Sequence, residues 1–110
     1  MFTDNYHNTL TLIDYMSPER LQFHNLRQHP ARLNTQETAW YLGFATTEIP
    51  HLAKARLLKP LGNPNRCTTK FYATVRLRRL REDEPWLNKA SETIFKFWQL
   101  FNEEKNKKRK

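Results

Sequence analysis

Apolar residues recur with a helical beat over the C-terminal quarter of the chain. Leu87, Ala90, Ile94, Phe97, Trp98 and Phe101 follow at three- and four-residue steps, with Lys89, Glu92, Lys96 and Glu103 on the opposite side. Phe95 and Leu100 widen that stripe. Asp83 before Glu84-Pro85 supplies a cap and a first turn that tolerates proline. The pattern predicts an amphipathic helix over 83–104. Its aromatic stripe is suited either to packing within the monomer or to a two-fold contact with a second copy.

Three shorter starts precede it. Ser17-Pro18-Glu19 combines a cap, a proline at the first helical position and an acid at the positive end of the dipole. Leu21, Phe23 and Leu26 give that helix a weak apolar side, and Pro30 ends it by residue 29. Asn34 and Glu37 have the spacing of a capping box, Thr38, Ala39 and Leu42 share a face, and Gly43 suits the left-handed stop. This predicts a helix over 35–42 with a sharp corner behind it. A third helix starts within residues 45–50, where Thr47 as N-cap places Pro50 in the first turn. Ile49, Leu52, Ala53 and Leu57 form its inward side, and Leu58-Lys59-Pro60 ends it. Helix, glycine corner and helix within so short a span make a helix-turn-helix pattern.

Residues 59–72 change character. Gly62-Asn63-Pro64-Asn65 is turn chemistry between Leu61 and the β-leaning run Thr68 to Tyr72. Two short strands joined by a basic loop would form a wing. Val75, Leu77 and Leu80, interleaved with arginines, predict one more short helix. The fold class is therefore mainly α with a small β-hairpin wing. The divisions are an N-terminal extension (1–31), the helix-turn-helix with its wing (32–82), the amphipathic helix (83–104) and a basic tail without fixed structure (105–110).

Charge sharpens this picture. The formal net charge is +8, yet no acid occurs in the 33 residues between Glu48 and Glu82, which hold nine basic residues. Five more lie in Lys105 to Lys110, so the rest of the chain is net −6. Segregation of this kind points to a polyanion partner more than total charge does.

Other classes fall away. Two glycines are too few for a turn-rich barrel or sandwich, and one cysteine excludes an internal disulfide or a cysteine-based zinc site. His7, His24, His29 and His51 lack ligand spacing, and no phosphate loop, Ser/His/Asp pattern or paired carboxylates are present. No enzyme activity, metal, cofactor or small-molecule ligand is expected. Without a membrane-length apolar run or a signal pattern, the expected location is cytoplasmic. Cys67 is read as a small filler in the wing.

The run Leu33-Asn34-Thr35-Gln36-Glu37-Thr38-Ala39-Trp40-Tyr41-Leu42-Gly43-Phe44 resembles the opening of MerR-like and excisionase-type winged helix-turn-helix DNA-binding domains. Ile49, Leu52, Leu57-Leu58-Lys59-Pro60 and the turn before Phe71-Tyr72 continue the likeness over residues 32–82, about half the chain. The resemblance implies that a second helix enters the major groove while the wing meets the flanking backbone. Carried onto this chain, the recognition residues are Thr46, Thr47, Glu48, His51 and Lys54. The wing residues are Asn63, Asn65, Arg66, Thr68 and Lys70, with Arg76 and Arg79 adding charge from the next helix.

Ala45, Glu48 and Pro50 depart from the family pattern, and only Lys54 among the recognition residues is a favoured base reader. The expectation is thus a small transcription regulator or excisionase-like factor that holds double-stranded DNA mostly by its phosphates. The alternative is a protein-interaction or dimerisation module on the same scaffold, docking through the C-terminal helix. Trp40 stands where the family has a solvent-facing polar residue, which predicts a covering element: the N-terminal segment or the last helix.

Overall fold

The computed structural model describes residues 17–65 and 68–108. The expectations for residues 1–16, Arg66, Cys67 and the last two residues lie outside that range. The described chain is mainly helical with a small antiparallel sheet.

Helix α1, Pro18–His24, begins as its cap chemistry requires, with the Ser17 hydroxyl accepting from the Arg20 N–H at 3.2 Å. Strand β1, Arg32–Asn34, runs directly into α2, Thr35–Leu42. The capping box closes in both directions: Asn34 Oδ1 accepts from the Glu37 N–H at 2.8 Å, and Glu37 Oε1 from the Asn34 N–H at 3.1 Å. Gly43 stops α2 at φ 89°, where the Gly43 and Phe44 N–H groups both donate to the Ala39 carbonyl.

The next segment corrects the expected cap. Instead of a helix capped by Thr47, a 3-10 turn spans Thr46–Glu48 and leads into α3, Ile49–Lys54. Ala45 occupies the cap position, and the Glu48 carboxylate accepts from the Ala45 N–H at 2.7 Å. The acid thus ties down the backbone N–H of the cap residue, while no cap side chain accepts from the first turn. Helix α3 also stops earlier than Leu58. Arg56 turns left-handed at φ 63°, while its N–H and that of Leu57 donate to the carbonyls of Ala53 and Leu52.

Strand β2, Phe71–Ala73, does not pair across the 62–65 turn to make a local hairpin. It pairs with β1, with Arg32 opposite Ala73, Leu33 opposite Tyr72 and Asn34 opposite Phe71. Pro60 and Pro64 cannot donate to a ladder. Gly62 and Asn63 are both left-handed, which reverses the chain, and the Leu61 N–H bonds to the Phe71 carbonyl at 2.8 Å. The loop from 61 to 71 is thus closed at its base while the sheet is built from a distant segment.

Helix α4, Thr74–Arg81, follows β2. Its first residue holds the segment before β1: the Thr74 N–H donates to Ala31 O at 3.0 Å, and the Thr74 hydroxyl donates to the Pro30 carbonyl. Helix α5, Glu84–Lys108, is capped by Asp83, whose carboxylate accepts from the Trp86 N–H. It continues four residues past the expected end at 104, so Lys105 to Lys108 are helical and not a tail without structure. Lysines in the last turn suit the negative end of the helix dipole.

The core gathers Leu33 and Tyr72 of the sheet, Ala39 and Leu42 of α2, Ile49 and Leu52 of α3, Leu77 of α4, and Ala90 and Ile94 of α5. Burying each large member contributes about 1.5–3 kcal/mol. Trp40 is covered by α1, its ring centroid 5.7 Å from that of buried Phe23. The N-terminal segment, one of the two elements expected there, supplies the cover.

Candidate functional site

An open cleft of about 650 Å³ lies between α3, the start of α2 and the segment leading into β2. Thr46 and Lys54 come from the 3-10 turn and α3, and Thr68 and Lys70 from the predicted wing. Four of the expected contact residues therefore share one site. A second hollow of about 580 Å³, lined by Lys59, Gly62, Asn63 and Pro64, adjoins it through Pro60 and Lys70, which line both. Among the described residues, no acid lines either hollow.

Local chemistry explains how the site is held. Pro50 opens α3 and forms part of the wall, as its missing N–H has no helical partner there. Ile49 and Leu52 are fully buried and anchor α3, which leaves Lys54 exposed. Tyr72, 2% exposed, lines the cleft from the sheet. Burial pushes its phenol above the ordinary tyrosine range, which keeps it neutral. Arg32 steadies the strand pair, with its guanidinium 4.0 Å from the Phe71 ring centroid.

The remaining expected residues are placed differently. Glu48 is half-buried and bound to the Ala45 N–H, so its carboxylate is committed to the turn. His51 turns from the cleft to α5, where its ring lies 3.6 Å from that of Phe97. Thr47 and Asn65 are exposed and line neither hollow. Arg76 and Arg79 are exposed on the outer side of α4, opposite buried Leu77, and also line neither. Arg66 lies outside the described residues.

Asn34, Thr35 and Gln36 form a wall of the cleft outside the positions that the resemblance implies. Their evident local role as a helix start absorbed them. The signal that could have found them is the polar first turn of a helix preceding a glycine corner, which must face whatever α3 faces. The cleft therefore offers threonine hydroxyls, side-chain amides and lysine ammonium groups. These are donors suited to an extended anion.

Among the described residues, no His, Cys, Asp and Glu groups cluster as a metal site, and no helix is long and apolar enough to cross a membrane. Comparison with protein families, curated proteins and solved structures finds no match to the chain.

Proposed function

We propose that the chain is a small DNA-binding protein of the winged helix-turn-helix kind, a regulator or excisionase-like factor that holds duplex DNA mainly by its phosphates. The supporting observation is the acid-free cleft: Lys54 from α3, Lys59 from the turn behind it and Lys70 before β2 converge on two adjoining hollows. In this reading α3 faces the groove and the 59–70 segment follows the backbone. Base reading is sparse, since Glu48 and His51 are engaged within the protein. About six phosphate contacts give a log–log salt slope near −5 by counterion release. Fluorescence anisotropy with a labelled duplex, from low to moderate salt, measures that slope directly. A flat response, or no binding at low salt, overturns the reading.

A second reading draws on the far half of α5. Phe95, Trp98, Leu100 and Phe101 are 67%, 41%, 64% and 47% exposed. In that reading this aromatic end docks a protein partner or a second copy. A stable oligomer in light scattering that is indifferent to DNA would favour it.

A further inference from the structure

Helix α1 buries Phe23 and sorts its charges to either side of it. Glu19 and Gln22 line a small pocket with Glu37 and Trp40. Arg20 and His24, four residues apart, share the other flank. Arg81, in the last turn of α4, lies over Tyr41 with its guanidinium carbon 5.0 Å from the ring centroid, and Tyr41 in turn meets Phe23 of α1 at 6.5 Å between rings. The His29 ring lies on Tyr41 as well, 5.2 Å away.

Among the described residues, no acid compensates this cluster. His24 is held below the ordinary histidine range, first by partial burial of its ring and then by the charges of Arg20, Arg81 and His29. Each described side chain acting on it is basic. The Arg20 Nε is buried with no hydrogen-bond partner among the described residues. Stacking on Tyr41 uses the face of the Arg81 guanidinium and leaves its N–H edge for an acceptor. The cluster is also separate from the cleft. Tyr41 lies six residues along α2 from Thr35, about 9 Å at the helical rise.

We propose that Arg20, His24 and Arg81 form a second anion site that takes a phosphate group. Two guanidinium forks and an imidazole match the several oxygens of a phosphate better than a lone carboxylate. If the phosphate is a duplex phosphodiester, the site rests on the DNA-binding reading and extends its footprint to α1. A free phosphate would be held by the same chemistry.

The full chain, followed by NMR through the His24 ring protons, tests this with inorganic pyrophosphate as probe. A bound anion favours the imidazolium, so the His24 pKa should rise on addition of pyrophosphate. The rise should persist in Lys54→Ala/Lys70→Ala and vanish in Arg20→Gln/Arg81→Gln. An unchanged His24 titration in the wild-type chain overturns the site, whatever the variants do. A duplex arm separates the sources: Arg20→Gln/Arg81→Gln should lower the magnitude of the salt slope by about one if the phosphate belongs to DNA. A response to pyrophosphate with the duplex slope unchanged assigns the site to free phosphate. A pyrophosphate response with no duplex binding at all leaves the site standing and removes the DNA-binding reading.

Discussion

Helices α2 and α3 are neighbours on either side of Gly43, and they are held in opposite ways. Helix α2 is closed at both ends by its own residues and buries Thr38, Ala39, Tyr41 and Leu42. Helix α3 enters through a 3-10 turn with no side-chain cap at Ala45, leaves through a strained Arg56, and buries only Ile49 and Leu52. Its remaining support comes from far along the chain. Trp86 Nε1 donates to the Leu57 carbonyl at 3.1 Å, and Phe97 stacks on His51. The difference separates a frame from a presenting element. The frame is locally determined, while the element that faces the cleft depends on tertiary contacts and stays short and exposed.

The largest test of that contrast removes an anchor of α3. Leu52→Ala leaves a cavity at a fully buried position and should cost about 3 kcal/mol in urea unfolding. A loss under about 1 kcal/mol would mean that α3 is not docked through this side chain. The caps come next. Asn34→Ala should cost about 1 kcal/mol, since it removes the acceptor for Glu37 N–H. Thr47→Ala should change stability by less than about 0.5 kcal/mol, because the exposed Thr47 caps nothing. Equal losses at the two positions would erase the distinction between the helices. One effect has the opposite sign. Arg56→Gly relieves a left-handed non-glycine residue, offset in part by the freedom glycine adds to the unfolded chain, so stability should rise by about 0.5 kcal/mol.

The same contrast explains what could be read from the chain. The limits of α2 were legible because Asn34, Glu37 and Gly43 act within a few residues of one another. The start of α3 was not, since Ala45 carries no capping group and the acceptor is the carboxylate of Glu48. The turn at 62–65 was legible, but the partner of β2 was not. Pro60 and Pro64 weaken a ladder next to the turn, of which only the Leu61 N–H to Phe71 carbonyl bond forms among the described residues. Yet nothing local points to Arg32–Asn34 as the strand that Tyr72 and Phe71 join. Within the cleft, Thr46, Lys54, Thr68 and Lys70 are positions that the winged helix-turn-helix resemblance implies, and the fold brings them together. His51 lies against Phe97 of α5, a neighbour that its helical position alone does not reveal.

The central claim is that the cleft lysines carry duplex binding. Anisotropy titrations of the wild-type chain and Lys54→Ala/Lys59→Ala/Lys70→Ala, across the same salt range and with two unrelated duplexes, test it most directly. The wild-type slope near −5 should fall in magnitude to about 3, equally for both duplexes. A slope that survives the three substitutions unchanged would contradict the account.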